Sequence, residues 1–207
     1  MARDTHRAHH AAMARRREQA QDILDKLKDS RRVVLSGGPR TGKSTLAVRA
    51  GERYGRTVRH ADSLIGQKDW SEASDEVAKW IGEDGEWIVE GVSAPRALRK
   101  LLSSQPGKRL EDLTVVHFRE PVQFQTDKQK AMAKGVETVW QQIREELRAR
   151  GANVIERETG PAPETAEDVY EAMRPSRQRA TAAVLKDAER EPEPDINEEP
   201  PTIRNAR

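Results

Sequence analysis

The chain of 207 residues contains no cysteine, which excludes disulfides, thiolate catalysis and cysteine-ligated zinc. Aromatic residues are 4% of it and hydrophobic residues 35%, below the roughly half apolar content of an ordinary packed domain. A modest core with unstructured flanks is therefore expected, in one domain rather than two. No apolar run approaches the ~18 residues of a membrane span, and the N-terminus lacks a signal-peptide core. No membrane partner is expected, and a cytoplasm-like compartment follows. There is also no large excess of one charge: 37 Lys and Arg against 35 Asp and Glu leave a net +2. A polyanionic partner would have to be met by local clusters, because the total is nearly neutral.

What is present is ordered along the chain. Residues 1–20 are basic and poor in large apolar side chains. His6, His9 and His10 stand there without acidic or Cys ligands, so the cluster reads as a solvated tail before it reads as a metal site. A helix is predicted over 14–28, with Ile23, Leu24 and Leu27 as its apolar stripe. Short β-branched runs then alternate with helical patterns: strands at "RRVVLS", "RTVRHAD", "EWIVEG", "DLTVVHF" and "NVIER", and helices at "TLAVRAGERY", "DWSEASDEVAKWIG", "PRALRKLL" and "GVETVWQQIREELRARG". Asp69 is the expected N-cap of the second of these helices, with Glu72 at N3, and Gly151 closes the last. The alternation predicts an α/β fold with a five-stranded parallel sheet covered by helices on both faces. From Thr159 the periodicity ends, and "REPEPDINEEPPT" is Pro- and Glu-rich. The expected organisation is a basic arm and helix (1–30), a folded domain (31–158) and a mostly disordered tail (159–207), the tail being alternatively a segment that folds on a partner.

"GGPRTGKS" fits G-x-x-x-x-G-K-[ST], between a predicted strand and a predicted helix. Gly37, Gly38, Pro39, Arg40, Thr41 and Gly42 form the loop, and its glycines allow successive backbone N–H groups to converge on phosphate oxygens. Lys43 supplies a positive charge to the β- and γ-phosphates. Ser44, followed by Thr45, opens the helix whose N-terminus favours anions, and its hydroxyl suits Mg²⁺. ATP and Mg²⁺ are the expected cofactors. "LSGGP" imitates a transporter-ATPase signature but overlaps this loop and is read as coincidence.

A phosphate loop does not name a reaction. No N-K-x-D base-recognition motif is present, which weighs against a GTPase, and the folded part is too short for a hexameric ATPase module with its helical lid domain. Glu90 ends the apolar strand "WIVEG", where a carboxylate can hold Mg²⁺ through water or polarise a nucleophile; a solvent-facing strand end is the plainer reading. Asp62 ends the second strand in the same layer, and ligands of open parallel sheets bind beyond the carboxyl ends of the strands. Asp62 is thus a candidate general base for a hydroxyl acceptor, or else an N-cap for the following turn.

Over residues 31–157 this order of strands, phosphate loop, acidic strand ends and basic segment resembles the P-loop nucleoside and nucleotide kinase family, thymidylate kinases included. The resemblance implies a three-layer P-loop kinase-like fold with the P-loop strand central and flexible tails. It implies that Asp62 contacts or deprotonates the acceptor, that Arg96 and Arg99 bind acceptor phosphate, and that the segment after the fourth strand is a lid. That segment offers Lys128, Lys130 and Lys134 where monophosphate kinases carry Arg-x-x-x-Arg, with Met132 as an apolar contact and Gly135 as a hinge. Arg119, at the strand end, is better placed than the lysines for a transferring phosphoryl group, since its planar fork matches phosphate. The same cations, with Arg15–Arg17, could track a nucleic-acid backbone, or simply form a solvated helix face. Size and "KAMAKGVETVW" also resemble phage kinases that phosphorylate 5-hydroxymethyluracil in DNA, which would place the chain in a host cytoplasm. A duplex base would have to be flipped out, with Trp70 or Trp80 to stack on it or to serve as core. The implied partner is a nucleotide or DNA acceptor. The oligomeric state is open, a homodimer being one option. The competing function is a small P-loop ATPase that couples hydrolysis to DNA handling or assembly.

Overall fold

The structure, a computed structural model, describes residues 18–119, 121 and 125–157. The expected histidine cluster at His6, His9 and His10, the Arg15–Arg17 run and the tail from Thr159 lie outside those residues. The described residues open on helix α1 (18–27). There follow β1 (Arg32–Gly37), α2 (Lys43–Tyr54), β2 (Thr57–His60), a 3₁₀ turn (Ala61–Leu64), α3 (Trp70–Gly82), β3 (Trp87–Gly91), α4 (Ala94–Ser104), β4 (Leu113–Phe118), α5 (Asp127–Ala149) and β5 (Asn153–Arg157).

All five strands are parallel, in the order β2-β3-β1-β4-β5, so the P-loop strand is central as the resemblance implies. Strands β1, β3 and β4 are buried along their whole length, which is why they read as near-continuous apolar runs. Their side chains alternate between two cores. Val34, Trp87, Val89, Leu113 and Val115 face one core with Val77 and Ile81 of α3, Leu98 and Leu101 of α4, and Trp140, Ile143 and Leu147 of α5. Val33, Leu35, Ile88, Val116 and Phe118 face the other, where α1 contributes Ile23, Leu24 and Leu27 and α2 contributes Leu46, Ala47 and Ala50. This is the three-layer α/β P-loop kinase-like fold. The helix expected at the end of an N-terminal arm thus packs its apolar stripe onto the sheet, and Tyr54 ties it down by donating its hydroxyl proton to the Leu24 carbonyl at 2.6 Å.

The alternation also decides where polar residues point. Glu90 shares the face of Ile88 and looks towards α2, whereas Ser36 and His117 share the faces of Val34 and Val115 and look towards α5. Helix α3 starts as predicted: Asp69 accepts from the backbone N–H groups of Ser71 and Glu72, and Glu72 closes the capping box. Such a cap contributes about 1 kcal/mol.

Two boundaries differ from the sequence reading. Strand β2 ends at His60, so Asp62 lies in the 3₁₀ turn beyond it. Helix α5 begins at Asp127, well before the expected start at Gly135. A capping box causes this: the Thr126 hydroxyl accepts from Gln129 N–H at 3.3 Å, and the Gln129 side chain accepts from Thr126 N–H at 3.0 Å. Gly135 is therefore an interior residue of a helix and not a hinge, and Lys128, Lys130 and Lys134 ride on helical turns.

Candidate active site

The phosphate loop is built as its residue types require. Gly42 adopts φ 82°, in the left-handed region, directly before α2 starts at Lys43. Arg40 also takes a left-handed φ of 62°, which non-glycine residues seldom adopt and which turns the loop back over itself. Thr41 donates its hydroxyl proton to the Gly38 carbonyl at 3.0 Å, and the Lys43 ammonium donates to the same carbonyl at 3.2 Å. Lys43 is only 4% exposed. Burial pushes its pKa below the ordinary lysine value, while the charges of Asp62 and Glu90 partly oppose that shift. The lysine is thus held in the loop within reach of the charges of Asp62, in the turn after β2, and of Glu90 on β3. Pro39 is half-buried, and Ser44 and Thr45 stand exposed at the helix start.

Glu90, 2% exposed, is not a solvated strand end. Its Oε2 accepts the Ser44 hydroxyl proton at 3.0 Å, and its Oε1 lies 2.7 Å from His60 Nδ1. A buried carboxylate beside a P-loop hydroxyl is an all-oxygen donor set of the kind Mg²⁺ takes, with water and phosphate oxygens completing the shell. Ser44 keeps its lone pairs for a cation while its proton goes to Glu90. The residues present therefore fit Mg²⁺. Among the described residues no cluster of three or more His, Asp or Glu exists that would hold a metal by itself.

Asp62 turns towards β3: its Oδ1 accepts the Val92 backbone N–H at 3.1 Å. It thus fastens the loop between β3 and α4, and it is no cap of its own turn, which lacks a side-chain cap. Val92 in turn lines a cleft of about 370 Å³ with Trp70, Arg96, Met132, Gly135 and Val139. The walls of this cleft are apolar except for Arg96. Trp70 is 40% exposed at it, whereas Trp80 packs against the core with Arg59 over its ring. The structure thereby separates the two tryptophans. It separates the two arginines of α4 as well: Arg96 faces the cleft, and Arg99 donates to the Gln142 side chain of α5 at 3.0 Å.

From Asp127 onward the basic segment is helical. As helix, it rests on the phosphate loop itself. Ala133 lies so close to Gly38 that a β-carbon added there would sit 2.8 Å from the Ala133 Cβ. Buried Gln125 donates its amide to the Pro39 carbonyl at 2.5 Å. Lys128 and Lys134 are exposed, and Lys130 pairs with Asp127 at 3.6 Å. Arg119 is held between carboxylates, 3.6 Å from Glu137 and 3.9 Å from Glu156, which supplies a packing reason for an arginine there.

The sequence reading passed over two histidines. His60 sits at the end of β2, in register with Glu90 on β3. His117 is buried under the phosphate loop: the Ser36 hydroxyl lies 2.9 Å from its Nδ1, Glu137 Oε2 lies 3.0 Å from its Nε2, and the Trp140 ring stacks on it at 4.2 Å. Burial lowers the His117 pKa against the opposing pull of Glu137, so the neutral ring donates from Nε2 to Glu137 and accepts from Ser36. Burial resists ionisation of Glu137, but hydrogen bonds from Gln141 and His117 and the charge of Arg119 outweigh it and hold the carboxyl below its ordinary value. A histidine inside the apolar run "VVHF" was the available signal for this link.

No helix among the described residues is long and apolar enough to cross a membrane. No family model matches the chain. No curated protein matches it either. Among solved structures, a gluconokinase from Sinorhizobium meliloti 1021 is similar at 16% identity over 77% of this chain and 98% of its own, with a TM-score of 0.42. A shikimate kinase from Acinetobacter baumannii, in complex with shikimate, is similar at 12% identity over 79% and 98%, with a TM-score of 0.38.

Proposed function

We propose that the protein is an ATP-dependent kinase that transfers the γ-phosphoryl group to a hydroxyl acceptor. The observation that carries this reading is the position of Asp62. Its charge reaches Lys43 in the phosphate loop, while its carboxylate is bonded to Val92, a wall residue of the 370 Å³ cleft. A carboxylate between a phosphate site and a cleft suits a general base for phosphoryl transfer.

In this reading the loop N–H groups and Lys43 bind the phosphates, and Ser44 and Glu90 hold Mg²⁺. The ion would neutralise charge on the phosphate oxygens. Asp62 takes the proton of the acceptor hydroxyl, whose oxygen forms the new bond to phosphorus. The bond to the β-phosphate oxygen breaks, and ADP leaves with that electron pair. The cleft suits a largely apolar body, with Trp70 for stacking and Arg96 for a phosphate or carbonyl. A nucleotide or a flipped nucleobase meets those terms, and 5-hydroxymethyluracil in phage DNA is the specific acceptor we favour.

The test is incubation with γ-labelled ATP, Mg²⁺ and a panel of nucleosides, monophosphates, DNA 5′ ends and DNA containing 5-hydroxymethyluracil. Label transferred to an acceptor supports the kinase. Phosphate release with no labelled acceptor overturns it in favour of an ATPase, and label confined to 5′ ends removes the modified base. Asp62→Asn keeps an oxygen for Val92 N–H, so it should lose transfer while ATP binding and stability persist.

A further inference from the structure

Glu90 owes its orientation to a second residue. The carboxylate is buried and its two oxygens are divided: Oε2 belongs to Ser44 and Oε1 to His60. His60 and Glu90 are directly opposed on adjacent parallel strands, so their side chains leave the sheet on the same face. The His60 carbonyl accepts the Ser63 hydroxyl proton at 2.6 Å, which steadies the turn that follows. An acceptor-only carboxylate at 2.7 Å requires the proton on His60 Nδ1.

We propose that His60 is a positioning residue for Glu90, and through it for the divalent cation bound with the nucleotide at Ser44. Its Nδ1–H occupies Oε1, so the carboxylate cannot rotate away from Ser44, and Oε2 keeps its direction towards the hydroxyl. This rests on the reading of Lys43, Ser44 and Glu90 as a Mg²⁺–nucleotide site. Without the imidazole, Glu90 can turn about its terminal torsion, which is broad and nearly two-fold. Outer-shell partners of this kind are typically worth 10-fold or more in metal affinity.

The experiment titrates a fluorescent ATP analogue into the full chain at increasing Mg²⁺, and repeats the titration with Mn²⁺ followed by its electron paramagnetic resonance. His60→Ala should raise the Mg²⁺ needed for half-maximal enhancement of nucleotide binding by about 10-fold, with binding in chelator unchanged. His60→Asn, whose amide nitrogen stands where Nδ1 does, should restore the wild-type requirement. His60→Gln, with its nitrogen one bond further out, should not, and this pair decides the matter if the alanine variant fails to fold. Equal Mg²⁺ dependence in wild type, His60→Ala and His60→Gln overturns the role of His60 alone. A wild-type protein whose nucleotide binding gains nothing from Mg²⁺ overturns the site reading, and the proposal with it.

Discussion

Ala133 of α5 rests directly on Gly38 of the phosphate loop, so the loop and α5 behave as one packed unit. A β-carbon at position 38 would meet the Ala133 Cβ at 2.8 Å and its Cα at 3.1 Å, and a helix backbone cannot give way as a side-chain tip can. Gly38→Ala should therefore destabilise the protein by about 1–3 kcal/mol, the range of overpacked cores. Ala133→Gly removes one of the two colliding atoms and should recover part of that loss when combined with Gly38→Ala. Urea denaturation of the two single variants and the double variant reads the coupling. Additive effects would show that loop and helix move independently.

Lys43 is held in the site at a cost to the ligand-free protein. Burial lowers its pKa from the ordinary 10.5, so between the folded and unfolded values the unfolded chain carries the extra proton. Stability should rise with pH across that window and the contribution should be complete above 10.5. Lys43→Met lacks this term. Its stability advantage over the wild type, measured by denaturation from pH 7 upward, should shrink as pH rises, while its nucleotide binding is lost. A constant difference would mean that Lys43 pays no desolvation penalty.

At the acid end the same sign holds along the chain of His117, Glu137 and Glu156, whose folded pKa values are all lowered. His117 has a folded pKa below 6.5, so protons enter the unfolded chain first, and stability should fall as pH drops from 6.5 towards that lower value. Burial opposes ionisation of Glu156, but the Trp140 hydrogen bond and Arg119, Arg144 and Arg148 hold its carboxyl below 4.5. With Glu137 also lowered, a second loss should follow below 4.5 as both folded carboxylates take up protons. His117→Asn should remove the upper of the two losses and leave the lower. Thermal melts across pH 3–8 would show it, and an unchanged upper loss in the variant would assign it to another group.

Arg96 and Arg99 looked equivalent as acceptor-phosphate arginines, and the fold makes them unequal. Arg96 faces the cleft, whereas Arg99 is spent on Gln142. Under the kinase reading, Arg96→Ala should raise the KM for a phosphate-bearing acceptor about 10- to 100-fold, as expected for losing a charge-assisted hydrogen bond. Arg99→Ala should leave that KM unchanged and lower stability slightly. Steady-state kinetics with the acceptor found by the labelling panel measures both. Equal effects would move the acceptor out of this cleft.

The contrast between those arginines shows how legibility divides. The phosphate loop, four of the five strands and the capping box at Asp69 and Glu72 depend on residues within a few positions of one another and stand where they were expected, while β2 stops short at His60. The start of α5 is legible too, in the T-x-x-Q pattern of Thr126 and Gln129, although a run of lysines follows it. Glu90 was legible as a strand-end carboxylate, since three apolar residues carry the strand up to it.

What the amino-acid sequence determined by itself was thus the set of elements and the chemistry of the phosphate loop, because helix caps, strand runs and glycine turns are local. What only the tertiary structure decided was partnership. His60 meets Glu90 across 30 residues, Ser36 meets His117 across 81, and Ala133 meets Gly38 across 95 (133 − 38). These pairings follow from the strand order β2-β3-β1-β4-β5 and from the register that sets each side chain on one face or the other. Neither order nor register is carried by a local pattern, since a buried strand looks the same whichever neighbours it takes.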